Sequence, residues 1–162
     1  MNTLRIVLLY VLAAASAAGS RAQAEPSPVM TSKGGFFALS VADMKASAAW
    51  YVEKLGLAVV MEEAATGHPG VTVLEGGGLI VELIQDPDAM PLAKAAPNVR
   101  DRMLVHGLVK VGVIVDNFAE TLAAFRERRV DIAFGPFPAR ANQRANVIVR
   151  DNAGNLIQVF GR

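Results

Sequence analysis

Few side chains in this sequence of 162 residues could carry chemistry. It has no cysteine, so it offers neither a thiol nucleophile nor a disulfide framework. Its two histidines, His68 and His106, cannot be built into a Ser–His–Asp arrangement by any spacing in the chain. His68, between Gly67 and Pro69, reads as a turn residue. His106 precedes Gly107 in a loop, either bonded to backbone or serving as an acid/base or polar contact on a pocket rim near Lys110. Glu82 stands out as the one charge in the apolar run Leu79–Ile84, and Lys110 opens a second apolar run, KVGVIV. A carboxylate and an ammonium on strands can take up a polar organic molecule. In an enzyme they could act as general base (Glu82) and electrostatic stabiliser (Lys110). The triple Gly76-Gly77-Gly78 is a tight turn and not a phosphate loop, because no helix follows it.

The elements that must position these residues occur twice. In Phe36–Leu57 an alternating strand puts Phe37, Leu39 and Val41 on one face and Phe36, Ala38 and Ser40 on the other. Asp43 then caps a helix whose inward residues are Met44, Ala48, Tyr51, Val52 and Leu55, and Gly56 ends it. The same grammar returns in Lys110–Val130, with Asn117 in the place of Asp43, Phe118 in that of Met44 and Phe125 in that of Tyr51. Strands are expected at Ala58–Glu62, Val71–Glu75 and Leu79–Ile84 after the first helix. After the second, which spans Phe118–Arg129 with Phe118, Leu122 and Phe125 inward, they are expected at Ile132–Phe134, Asn146–Arg150 and Leu156–Phe160. Asp151-Asn152-Ala153-Gly154 makes the last turn. The chain is thus two βαβββ modules, 36–84 and 108–162, and a pocket is expected between them. The connector 85–107, with Pro87, Pro91 and Pro97, has the length of a lid or binding loop and room for a short helix around Leu92–Ala96.

Residues 1–24 have a basic start at Arg5, an apolar run Ile6–Ala18 and an A-x-A ending at Ala22-Gln23-Ala24, which is the pattern of a secretory signal. The run is shorter than the roughly 18 apolar residues needed to span a bilayer, so export without a stable membrane anchor is expected. Residues 25–35 are a flexible lead-in, and 36–162 form one domain of ordinary size. Without Arg5 and Arg21, two of the 16 basic residues, 14 remain against 15 acidic ones. A near-neutral chain without a basic patch excludes an electrostatic case for nucleic acid. Arg126, Arg128 and Arg129 fall at a helix end, where cations complement the helix dipole. Trp50, beside Tyr51, is assigned to packing, with an interface role as the alternative.

The stretch VADMKASAAWYVEKLGL resembles the strand-to-helix signature of the vicinal oxygen chelate superfamily, which includes glyoxalase I, the extradiol dioxygenases and the bleomycin-resistance proteins. RDNAGNLIQVF resembles its closing motif. The resemblance implies an α+β fold in which two βαβββ modules form a cup-shaped open sheet with the helices packed outside. It also implies four cup-facing metal positions, which fall on Phe36, Glu82, Lys110 and Gln158. Phenylalanine cannot ligate, and lysine ligates only when neutral, against a reference pKa of about 10.4. Gln158 brings one carbonyl oxygen, and Glu82 alone is a good hard ligand. The expectation is therefore no metal cofactor. The cup, lined by Phe36, Ala38, Ser40, Glu82, His106, Lys110 and Gln158, should take a small organic molecule. The alternative is that Glu82 and Lys110 are spent on each other in an ion pair. The resemblance leaves three readings of function: a metal-independent binding protein, a lyase or dioxygenase, and a structural protein with a vestigial cup. It also makes a homodimer plausible.

Overall fold

The computed structural model describes residues 30, 32, 34–66 and 68–162. The secretory signal, and the lead-in up to residue 29, lie outside the described residues. From Ser32 to Arg162 the chain is one compact unit. Its elements are β1 (Gly35–Ser40), α1 (Met44–Trp50), β2 (Ala58–Glu63), β3 (Gly70–Gly76), β4 (Leu79–Gln85), α2 (Leu92–Ala95), β5 (Lys110–Val115), α3 (Phe118–Glu127), β6 (Asp131–Phe137), β7 (Asn146–Arg150) and β8 (Leu156–Gly161). The strands form two four-stranded sheets, ordered β1-β4-β3-β2 and β5-β8-β7-β6. In each sheet the first strand runs parallel to the last, and the remaining pairs are antiparallel. The fold is α+β, with the βαβββ unit present twice.

Alternation along each strand sorts its residues between two faces. Phe37, Leu39, Val81, Leu83 and Leu74 from the first sheet and Val147, Val149, Ile157 and Val159 from the second join Tyr51 and Phe125 of the helical segments in one buried cluster. The modules therefore share a core. The opposite faces are far more open. In register they place Ala38 beside Glu82 and Val73, and Gly112 beside Gln158 and Ile148.

The first helix departs from the expected phase. Asp43 does cap it, its Oδ1 accepting from Ala46 N at 2.9 Å, and the Gln85 side chain accepts from Met44 N at 2.8 Å. Beyond Trp50, however, Tyr51–Leu55 forms a wider π-helical turn, ended by Gly56 in the left-handed region (φ 74°). The wider turn shifts the positions within it, so Val52, expected inward, is 43% exposed; Ser47, on the α-helical turn before it, is buried. Asn117 makes no side-chain capping bond; its Oδ1 instead accepts from Thr121 Oγ1 at 3.3 Å. The inward trio Phe118, Leu122 and Phe125 packs on the core as expected. β6 runs three residues beyond the expected Phe134, crossing Gly135-Pro136 with shifts of register. It is an edge strand, where a missing proline N–H breaks no ladder. The Gly77-Gly78 turn has both φ values positive, as the type I′ form of a two-residue hairpin requires.

The connector holds the expected short helix, α2, and one 3-10 turn at Arg102–Leu104. Among the described residues no helix is long and apolar enough to cross a membrane.

Candidate functional site

β1 and β5 face each other across a concavity of about 480 Å³ lined by Phe36, Ala38, Leu79, Leu108, Lys110 and Gly112, among others. Three of the expected site residues, Phe36, Ala38 and Lys110, meet there. Phe36 is 62% exposed, and Lys110 is the one charged side chain of that lining. The apolar walls and single ammonium suit an organic molecule that carries a negative group.

The other expected residues do not line this cavity. Glu82 lies half-buried on β4, next in register to Ala38 and so one strand further from β5. Gln158 lies half-buried on β8 beside Gly112, and its Nε2 donates to Asn146 Oδ1 at 2.9 Å. Asn146 is itself buried and donates to Arg144 O, so the Gln158 amide is held in place by a polar chain. Ser40 is exposed at the far end of β1, and His106 is exposed in the connector. His68 bonds locally, donating through Nδ1 to Pro69 O at 2.9 Å, with Glu63 3.5 Å from Nε2. Glu82 and Lys110 form no ion pair with each other; among the described residues Lys54 pairs with Glu53, Arg150 with Asp131 and Arg162 with Asp116.

The quartet at the family's metal positions does not fit a divalent ion. Phe36 has no donor atom, Lys110 is neither a carboxylate nor an imidazole, and Gln158 offers one carbonyl oxygen beside the Nε2 that donates to Asn146. One carboxylate, Glu82, remains. Among the described residues no group of three or more His, Asp or Glu side chains is arranged to hold a metal ion.

Sequence reasoning missed two parts of the neighbourhood. Phe134 and Phe137, 52% and 42% exposed, extend the open face of the second sheet, Phe134 in register with Ile148. The strand expected there ended at Phe134, and its edge position is where a strand tolerates Pro136 and runs on to Phe137.

The second missed part joins the modules. Tyr51 O–H donates to Asp151 Oδ2 at 3.0 Å, and Asn152 Nδ2 donates to Ser47 Oγ at 3.2 Å. Asp151, buried, also accepts from Ala153 N, Asn155 N and Asn155 Nδ2 at 2.7–2.9 Å. Burial, then the adjacent Asp151 charge and the hydrogen bond to it, hold the Tyr51 phenol far above its ordinary range. The residues of the closing motif thus clamp the helix of the other module. Nearby, Lys54 Nζ donates to Arg128 O and Arg128 Nη1 to Lys54 O, a reciprocal pair that reflects the internal repeat.

The profile of the Glyoxalase/Bleomycin resistance protein/Dioxygenase superfamily matches residues 33–159. Solved structures share the fold at low identity. TnmS3, an antibiotic binding protein from Streptomyces sp. CB03234, is 17% identical, covering 84% of this chain and 98% of its own, with a TM-score of 0.57. TioX from Micromonospora sp. ML1 is 20% identical over 78% of this chain and 95% of its own, at 0.57. A glyoxylase/bleomycin resistance protein/dioxygenase domain from Frankia sp. EAN1pec is 15% identical over 82% and 92%, at 0.62. Comparison with the curated proteins finds no match.

Proposed function

This chain belongs to the Glyoxalase/Bleomycin resistance protein/Dioxygenase superfamily, and we propose that it is an exported binding protein for a small organic molecule, working without a metal cofactor. The observation that carries this reading is the concavity of about 480 Å³ between β1 and β5, walled by Phe36, Ala38 and Leu108 and carrying Lys110. Its volume falls in the ordinary range for small-molecule sites, roughly 300–1,000 Å³. Glu82 and Gln158, on the next strands, supply an acceptor and an amide for a ligand that extends across the sheets. The antibiotic-binding neighbour TnmS3 supports binding as a use of this fold. The donor chemistry of Phe36, Glu82, Lys110 and Gln158 supports the metal-free reading. Export rests on the signal pattern of residues 1–24. The open faces, with Phe36, Ile114 and Phe134 all more than half exposed, support a homodimer in which a second copy covers part of the ligand's surroundings.

Elemental analysis of the purified protein, paired with a thermal-shift screen of small organic anions, tests the reading. Metal-free protein stabilised by an organic anion, with the effect lost in Lys110→Ala, is the expected result. Stoichiometric zinc, nickel, manganese or iron that disappears in Glu82→Ala would replace it with the metal-dependent lyase or dioxygenase reading.

A further inference from the structure

Four strands flank the seam between the sheets, β4 and β1 on one side and β5 and β8 on the other. They carry only two charged residues, Glu82 and Lys110. Both project from the open faces, because their neighbours Val81, Leu83 and Val111 pack on the core. Neither has an ion-pair partner among the described residues. Their places follow from register and strand direction. Glu82 pairs with Ala38. Gly34 and Gly35 share a recess with residues 112–114, whereas Leu39 borders residues 108–111, so β1 runs against β5 and Ala38 stands across from Lys110. A carboxylate, a small side chain and an ammonium thus lie in one row across the strands.

The row has a definite span. Adjacent strands are about 4.8 Å apart, so the backbones of Glu82 and Lys110 stand at least about 10 Å apart. An α-amino acid, with both charges on one carbon, is too short to meet both residues. Two extended residues span about 7 Å, and the two side chains close the remainder. The middle of the row also suits a peptide group. Val41 N donates to Ile84 O and Arg162 N to Val115 O, so the odd-numbered residues of β1 and β5 bond within their own sheets. The N–H and C=O of Ala38 and Gly112 therefore turn toward the seam, where no strand pairs with them. Beside the row, Phe36 and Ile80 are exposed neighbours in register, and Gly112 across the seam has no side chain to fill the space before them. We propose that the row binds a zwitterionic dipeptide with an apolar side chain, its ammonium on Glu82 and its carboxylate on Lys110. This names a ligand class for the metal-free binding proposed for the concavity, and rests on it.

Calorimetric titration of the metal-stripped protein with L-alanyl-L-phenylalanine, its N-acetyl form, its C-terminal amide and free phenylalanine tests the assignment. The free dipeptide should bind at least about tenfold more tightly than either blocked form, the loss expected when a hydrogen bond to a charged group goes. Phenylalanine should bind more weakly than the dipeptide. In Glu82→Gln the free and N-acetyl forms should bind alike, while the amide stays weaker. In Lys110→Met the free and amide forms should bind alike, while the N-acetyl form stays weaker. A merely structural role for either residue would not separate the two discriminations. Equal binding of free and blocked forms, phenylalanine binding as tightly as the dipeptide, or no binding of the dipeptide would overturn the proposal. Tight binding of the N-acetyl form, indifferent to Glu82→Gln, would overturn it while leaving metal-free binding of an anion intact. Binding that needs an added divalent metal would overturn both.

Discussion

Tyr51→Phe removes one hydroxyl and isolates the energetic value of the clamp between the modules. In the wild type the hydroxyl donates over 3.0 Å to Asp151 Oδ2, with Tyr51 fully buried and Asp151 5% exposed. Hydrogen bonds to a charged group are worth about 1.5–3 kcal/mol. Asp151 keeps three other donors, one of them on the same oxygen, so its carboxylate is not orphaned by the substitution. The cost should therefore lie near the middle of that range, about 2 kcal/mol. Urea unfolding followed by Trp50 fluorescence is a direct assay, because Trp50 is the single tryptophan and its ring lies 5.0 Å from that of Tyr51. Circular dichroism checks that both probes report one transition. In an Asp151→Ala background the same substitution should cost less than about 0.5 kcal/mol, since its partner is gone. Equal costs in the two backgrounds, or a loss below about 0.5 kcal/mol in the wild type, would refute the clamp.

Further outcomes follow from the same contacts. Burial and Asp151 raise the Tyr51 phenol in the folded state, so its stabilising contribution is complete below the ordinary value of about 10 and falls as pH rises above it. In a Tyr10→Phe background, which leaves Tyr51 as the one tyrosine, phenolate absorbance should appear only together with unfolding; a midpoint near 10 in folded protein would contradict this. The two helix starts should respond unequally to alanine. Asp43→Ala removes a bond to Ala46 N and should cost about 1 kcal/mol, whereas Asn117→Ala, which loses no capping bond, should cost only a few tenths, both read by thermal unfolding.

Much of this fold could be read from the chain because its signals are local. Alternation in FFALSV put Phe37, Leu39 and Val41 on the buried face, and Gly56 and the glycine triplet marked a helix end and a hairpin turn. The first helix was misread at Val52 because a helical period assumes a constant turn, and the π-helical turn at Tyr51–Leu55 breaks it. The clamp was out of reach for another reason. Tyr51 and Asp151 each had a sufficient local role, core packing and turn formation, and nothing local shows that they meet across the module boundary. The candidate site divides in the same way. Period-two alternation selected Phe36, Ala38 and Lys110, which do line one cavity. It could not show that Glu82 and Gln158 stand a strand further out, or that Asn146 engages the Gln158 amide, since strand order and cross-strand partners are tertiary facts.

Metal-free binding of an organic ligand in the β1–β5 concavity can be tested directly. The most direct measurement is an amide and methyl NMR titration of chelator-stripped protein with the best anion from the thermal-shift screen. Saturable shifts at Phe36, Ala38, Lys110 and Gly112, lost in Lys110→Ala and indifferent to added zinc or manganese, are the predicted result. Binding that appears only when a divalent metal is restored, and that vanishes in Glu82→Ala, would contradict it.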